Sequence, residues 1–380
     1  MSIPDTTITA ESTDGRTVGR SNGAAPASTE PLPAPPAAPL RDRQRRRVSY
    51  LRVSVTDRCN YRCTYCMPED GVSHVDRSDI LSFEEIVALC RCFVELGVER
   101  VRLTGGEPTV RRDLVALVRL LRAIPGLREI SLSTNGHLLS ELAVPLRAAG
   151  VDRLNVSLDT LDPARFAAIT RRGDLGRVLA GIDAARAAGF TSIKINTVAV
   201  KGFNDGEVGA LCDYAFARGL IPRFIEQMPM AEGALFVPGT LLAAAEIRRL
   251  VEAHHPGTRL VAVPGGRAEG GGPARYWALE GPEGAAGDRG STGARLVGLI
   301  TPMTEHFCAS CNRVRLSASG ALHACLAYDD AVDLRAVLRQ RGPDAVAAAI
   351  RQALSTKRDG HDFQLVGLGG PRKAMVQIGG

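Results

Sequence analysis

Between Tyr50 and Gln227, six strand-like runs alternate with helices, and this alternation narrows the choice of fold more than any other feature of the chain. The runs are YLRVSVT (50–56), RVRLT (100–104), REISLST (128–134), DRLNVSL (152–158), TSIKINTV (191–198) and PRFIEQ (222–227). Helices are predicted near 82–96, 111–123, 138–149, 174–188 and 204–218. Strands separated by helices join as right-handed βαβ units, which predicts an α/β fold with a parallel sheet.

Each strand also has two unlike faces. Leu51, Val53 and Val55 oppose Arg52, Ser54 and Thr56; Val101 and Leu103 oppose Arg102 and Thr104. Leu154, Val156 and Leu158 oppose Asn155, Ser157 and Asp159; Ile193 and Ile195 oppose Lys194 and Asn196. A parallel strand covered on both faces reads as one apolar run. An antiparallel sheet with a wet face would alternate like this, but the intervening helices argue against it. A closed eight-stranded barrel fills its interior with Val, Ile and Leu. Six strands with charged inner positions instead predict an open, partial TIM-like barrel with helices outside and a hollow for a polar ligand. Its chemistry belongs at the C-terminal strand ends. Those ends carry CNYRCTYC (59–66), GGEP (105–108), TNG (134–136), Asp159 and the run Glu226–Pro229.

Nine cysteines in 380 residues are too few for a disulfide framework. Six fall into two groups of three, Cys59-x3-Cys63-x2-Cys66 and Cys308-x2-Cys311-x13-Cys325. Cys90, Cys92 and Cys212 lie in helical stretches and read as buried thiols. A structural zinc site takes four ligands. A cubane iron–sulfur cluster with three cysteines leaves one iron open to something other than protein. Zinc remains the alternative at each group, completed by His74 or Asp57 at the first and by His306 or His323 at the second. The zinc alternative is stronger at the second, whose paired spacing resembles a zinc ribbon.

The rest of the chain bounds the answer. Residues 1–40 are rich in Pro, Ser, Thr, Ala and Gly, and RDRQRRR (41–47) carries five arginines. Together they predict a disordered arm over 1–47, with its basic end solvated or touching nucleic acid or membrane. No stretch reaches the ~18 continuous apolar residues of a membrane span, and the N-terminus has no apolar signal core, so cytoplasm is expected. The barrel is expected over 48–240. Beyond 240 the pattern weakens: 264–293 is Gly-rich and reads as an insertion, and the chain ends in Gly379-Gly380.

The motifs carry a resemblance. Cys59-x3-Cys63-x2-Cys66, with Tyr65 before the third cysteine, resembles the signature of the radical S-adenosylmethionine superfamily, and Gly105-Gly106-Glu107 resembles its GGE motif. In that superfamily the open iron chelates S-adenosylmethionine, and one electron releases a 5′-deoxyadenosyl radical. VTDRCNYRCTYCMPEDG, LTGGEPTVRRDL, NVSLDTLD, EQMP and CxxCNRVRLSASGALHACL are similar to the GTP 3′,8-cyclase family of molybdenum cofactor biosynthesis, from about residue 48 onward. The resemblance implies two 4Fe-4S clusters, on Cys59, Cys63 and Cys66 and on Cys308, Cys311 and Cys325, the second in a C-terminal extension over 241–380. It implies that Tyr65, Gly105, Gly106, Glu107, Ser157 and Met228 contact S-adenosylmethionine. Arg52, Arg102, Ser133, Lys194 and the segment Arg313, Val314 and Arg315 would contact GTP, whose guanine binds the second open iron. Ser133 stands where the family commonly has threonine, and the hydroxyl is kept. Arg313, Arg315, Gly379 and Gly380 would serve catalysis. The radical would remove the ribose 3′ hydrogen, and C3′ would attack guanine C8. A flavodoxin- or ferredoxin-type reductant, a homodimer and handover to the next enzyme of the pterin pathway are family expectations, with no membrane and no nucleic-acid partner.

Three other readings fit less. A peptide-modifying radical enzyme would carry more C-terminal cysteines. A two-cluster electron carrier would use four ligands per cluster and no charged barrel. A zinc-stabilised nucleic-acid module using Arg41–Arg47 leaves GGEP and the strand alternation unexplained.

Overall fold

A computed structural model describes residues 39–231, 233–264, 271–281 and 295–379. The predicted alternation is present. Strands β1 (Tyr50–Ser54), β2 (Arg100–Thr104), β3 (Glu129–Thr134), β4 (Arg153–Ser157), β5 (Ile193–Ala199) and β6 (Ile221–Glu226) pair in parallel in sequence order. Between them lie α1 (Phe83–Glu95), α2 (Leu114–Arg122), α3 (Leu139–Ala149), α4 (Pro163–Thr170), α5 (Leu175–Ala187) and α6 (Val208–Phe216). Local chemistry sets the helix ends. Ser82 and Glu85 close a capping box on α1, and Asp174 accepts from Arg177 N to start α5. Gly150 ends α3 at φ +107°, a left-handed conformation that a side chain resists. Helix α4 was not among the predicted elements. Its signal is Asp162-Pro163, an N-cap aspartate followed by proline in the first turn.

Leu51, Val53, Val101, Leu103, Leu154, Val156 and Ile195 are fully buried in one core. The apolar strand faces therefore pack outward on the helices, and the polar faces turn inward. Each such Leu or Val contributes about 1.5–3 kcal/mol by leaving water.

Residues beyond 240 do more than extend the barrel. They form α7 (Ala244–His254), β7 (Arg259–Ala262), β8 (Arg275–Glu280), β9 (Leu296–Ile300), β10 (Arg313–Leu316), β11 (Ala321–His323), β12 (Val332–Asp333), α8 (Leu334–Arg341) and α9 (Pro343–Ser355). Strand β10 pairs in parallel with β1, and β9 in parallel with β6. The predicted six-stranded run thus gains one parallel strand at each edge. Antiparallel β11–β12 and β8–β7 continue beyond them, in the order β12-β11-β10-β1-β2-β3-β4-β5-β6-β9-β8-β7. Of the Gly-rich stretch, 265–270 and 282–293 lie outside the described residues, and β8 takes 275–280 of the remainder.

The arm expected over 1–47 needs a correction at its end. Residues 1–38 lie outside the described residues; of the basic end, Leu40, Asp42 and Arg46 are packed, while Arg41, Arg43, Arg45 and Arg47 are exposed as expected. Leu40 is 1 % exposed in the core, and Asp42 pairs with Arg46 at 2.6 Å. Arg46 also donates to the carbonyls of Cys308 (2.9 Å), Arg358 (2.7 Å) and Asp359 (2.9 Å). Three backbone acceptors and one carboxylate use this guanidinium as a pin, which composition could not foretell.

Candidate active site

The C-terminal strand ends open into one cavity of ≈ 330 Å³, and both cysteine triads line it. Cys59, Cys63 and Cys66 come from the loop after β1. Cys308 and Cys311 precede β10, the strand beside β1, and Cys325 follows β11. The strand that introduces one triad is therefore the hydrogen-bonded neighbour of the strand that leads away from the other.

The GGE turn is built onto the first triad's loop. Gly106 N donates to Thr56 O at 2.7 Å, and Glu107 N to Arg58 O at 2.8 Å. A Cβ on Gly105 would stand 2.5 Å from Thr56 O, and one on Gly106 2.4 Å from Arg58 O. The close approach that these glycines permit is thus to the cysteine loop itself. Glu107 is buried at the cavity wall. It accepts from Thr109 N (3.0 Å), Thr109 Oγ1 (2.5 Å), Thr134 Oγ1 (2.7 Å) and Asn135 N (2.6 Å). Both oxygens tie β2 to the end of β3. Burial pushes its carboxyl upward in spite of these donors.

Tyr65 donates to Asp159 Oδ2 at 2.7 Å, and Val198 N donates to Asp159 Oδ1 at 2.8 Å. Burial lifts Asp159 to about 6. Glu226 accepts from Ala244 N, Met303 N and Thr304 N at 2.8–3.0 Å. Neither carboxylate is therefore the counter-ion that the inner arginines might have used.

Those arginines form a row. The ladder sets Arg315 opposite Arg52 and Arg52 opposite Arg102. All three line the cavity with Arg313 and Arg223. Among the described residues none of the five makes an ion pair. Arg102 donates to Ser133 Oγ at 3.2 Å and to the Tyr50 hydroxyl. Burial, then Arg315, drives Arg52 well below its ordinary value; burial, then Arg313, lowers Arg315 to about 10. Like charges gathered in a low-dielectric hollow lack an anion. Asn155 Oδ1, buried on the same wall, has no hydrogen-bond partner. Arg223 was missed in the sequence, although it stands on the inward face of PRFIEQ two residues from Ile225; it donates to Asn196 Oδ1 at 2.6 Å.

Most of the expected site residues reach this wall: Tyr65, Gly105, Gly106, Glu107, Ser133, Ser157 and Met228 all line it. Two do not. Lys194 is buried beside Asn155 in the ladder, below the wall, and burial followed by Arg223 and Arg102 lowers it to about 7. Val314 points into the core, because its neighbours Arg313 and Arg315 take the inner face of β10. Gly379 approaches the row from the tail: its carbonyl accepts from Arg315 Nη1 (2.9 Å) and Arg52 Nε (3.4 Å). Gly380 lies outside the described residues.

The sulfur geometry bears on the metal. A tetrahedral zinc holds its sulfurs about 3.8 Å apart. Among the described residues, the groups whose ligand atoms all lie within 4.8 Å are His306–Cys308–His361 and Asp213–His254–His255, and neither triad is such a group. In each triad at least two sulfurs thus lie farther apart than one ion would hold them. His74 and Asp57 face each other at 3.3 Å instead of completing the first triad. His306 could join Cys308 only by leaving Cys311 and Cys325 aside. Burial acts to raise the Cys311 thiol, but Arg313 and Lys357 outweigh it and bring it down to about 6, which favours the thiolate. Burial raises Cys59 to about 11 and Cys66 to about 12 in the metal-free chain.

Two family models cover the chain: Radical SAM superfamily over residues 53–215 and Molybdenum Cofactor Synthesis C over 221–363. GTP 3′,8-cyclase 1 of Pseudomonas aeruginosa is 46 % identical over 331 residues, 86 % of this chain and 94 % of that protein. The chain belongs to the GTP 3′,8-cyclase family. The GTP 3′,8-cyclase of Rhizobium meliloti is 48 % identical over 86 % of this chain and 89 % of its own length. Among solved structures, Streptococcus suis SuiB bound to S-adenosylmethionine aligns with 19 % identity and a TM-score of 0.43, over 54 % of this chain and 46 % of that one. As a member of the GTP 3′,8-cyclase family, and so a radical S-adenosylmethionine enzyme, the chain uses S-adenosylmethionine and iron–sulfur clusters. Among its described residues no helix is long and apolar enough to cross a membrane.

Proposed function

We propose that this chain converts GTP to (8S)-3′,8-cyclo-7,8-dihydroguanosine 5′-triphosphate, the first step of molybdenum cofactor biosynthesis. The observation that carries the reading is one cavity lined by two three-cysteine groups, with an unpaired arginine row between them. A triphosphate brings about four negative charges, and guanidinium forks suit it. Arg52, Arg102, Arg315 and the newly found Arg223 hold the phosphates. Ser133 fixes the Arg102 fork, and Lys194 adds charge from below. Asn155 Oδ1 accepts from the sugar or base.

Cys59, Cys63 and Cys66 hold the first cluster, and Cys308, Cys311 and Cys325 the second. A cluster held there would supply the electron that releases a 5′-deoxyadenosyl radical from S-adenosylmethionine. The GGE turn, Tyr65, Ser157 and Met228 shape the S-adenosylmethionine pocket. Arg313 sits beside Cys311, where the guanine of GTP is held. The tail at Gly379 closes the cavity over Arg52 and Arg315 and excludes water. Residues 48–240 act as the barrel, and 241–380 complete it. The enzyme works in the cytoplasm as a homodimer, takes electrons from a flavodoxin- or ferredoxin-type protein and passes its product to the next pterin enzyme.

Anaerobic reconstitution with iron, sulfide, dithionite, S-adenosylmethionine and GTP tests the reading. It expects 5′-deoxyadenosine and the cyclised nucleotide in step. Release of 5′-deoxyadenosine with GTP recovered unchanged would defeat it.

A further inference from the structure

Lys357 follows α9 and is 3 % exposed. Its Nζ donates to the Arg313 carbonyl at 2.7 Å and approaches Cys311 Sγ at 3.6 Å. Strand β11 ends at His323, opposite Arg315, so the Arg313 carbonyl lies past the end of that ladder and Lys357 meets it there. Among the described residues no carboxylate pairs with Lys357. The Cys311 sulfur is the side-chain acceptor that its ammonium faces, and a buried ammonium without an opposing charge is costly.

We propose that Lys357 is a positioning residue of the second centre: its charge-assisted hydrogen bond to Cys311 would draw electron density from that sulfur and raise the reduction potential of a cluster held there. The proposal rests on the reading of Cys308, Cys311 and Cys325 as ligands of a second cluster. Hydrogen bonds to ligand sulfurs and nearby positive charge are among the protein's levers on cluster potential. Holding the Arg313 carbonyl with the same ammonium couples the ligand Cys311 to the strand that carries Arg313 and Arg315. Arg313 also reaches the Cys311 sulfur, but from the cavity lining, whereas Lys357 reaches it from the buried side.

The test uses the full chain, reconstituted anaerobically, as wild type, K357M, K357Q and K357R, with iron and sulfide counted before an EPR-monitored redox titration of both centres. A fully loaded chain holds about eight irons. The expected result is a second-centre potential shifted negative in K357M, less so in K357Q, and near wild type in K357R, with the first centre unmoved throughout. An unmoved second-centre potential in fully loaded K357M overturns the proposal. If K357M loads only one cluster, K357Q decides: an unmoved potential there overturns it equally. Wild type with about four irons and a single signal would instead refute the second cluster itself, which is a separate failure.

Discussion

Arg315 donates from Nη1 to the carbonyl oxygen of Gly379 at 2.9 Å, so the chain's tail is held by a guanidinium proposed to hold the substrate. Gly379 sits at φ +79°, and a Cβ there would stand 3.2 Å from Ser54 Cβ. Gly379→Ala is therefore expected to weaken tail docking by about 1 kcal/mol through backbone strain alone. Turnover of GTP should fall several-fold while S-adenosylmethionine cleavage without GTP stays at the wild-type rate. Equal loss of both activities would show that the tail acts on the first centre instead, where Ala374 and Val376 pack on Met67, Cys59 and Cys66.

Gly106→Ala should strike the first cluster before it strikes the ligand. Its Cβ would meet the Arg58 carbonyl at 2.4 Å, a backbone atom that cannot swing aside. The reconstituted variant is expected to hold about four irons in place of about eight, with the second centre's EPR signal intact. Full iron loading would show that the loop yields at little cost.

Glu107→Gln is expected to lower stability by about 2–3 kcal/mol, because an amide donor must replace one of two oxygens that now face only donors. Thermal unfolding checks this. A variant as stable as wild type, with weakened S-adenosylmethionine binding, would assign Glu107 to the ligand rather than to the β2–β3 tie.

Arg52→Met should raise KM for GTP by roughly ten- to a hundred-fold, the loss of one charge-assisted contact to phosphate. The same variant should leave the ligand-free chain as stable as wild type or more so, since Arg52 faces Arg315 and Arg102 across the ladder without a carboxylate. Paired melting curves with and without GTP separate the two effects. A destabilised free enzyme would mean that the row is already neutralised.

Lys194 gives a pH prediction. Burial, Arg223 and Arg102 hold it near 7, below its unfolded value. The ligand-free chain therefore gains stability as pH rises from about 7 toward 10 and loses it on the way down. A triphosphate bound at the row would draw a proton onto Lys194. Calorimetric GTP titrations at pH 8, in buffers of different ionisation heat, should show net proton uptake that Lys194→Met removes. Identical heats in every buffer would place Lys194 outside the substrate's field.

The barrel was legible because its inner face is polar. Arg52, Arg102 and Lys194 break the apolar run at every second residue, and the helices between them remove the antiparallel alternative. The triads were legible by spacing alone. What stayed hidden depends on distant partners. Strand β10 is four residues long, and its place beside β1 follows from pairing across some 260 residues, with no local mark. Lys357 and Arg46 look like ordinary surface charges in the sequence. Their work shows only when the carbonyls of Arg313 and Cys308 come within reach. Arg223 offered the alternation signal, one strand later than the reading followed it.

Strand β10 beside β1 has a consequence for synthesis. A ribosome that has finished the first 300 residues has released the six inner strands with the β1 edge bare, and an uncovered edge invites pairing with other chains. Until residues 313–316 emerge and dock, a nascent chain has one set of sulfurs and half a vessel. Closure of the β1 edge therefore waits for residues 313–316, and a chain that stops before them keeps that edge open to pairing with its neighbours.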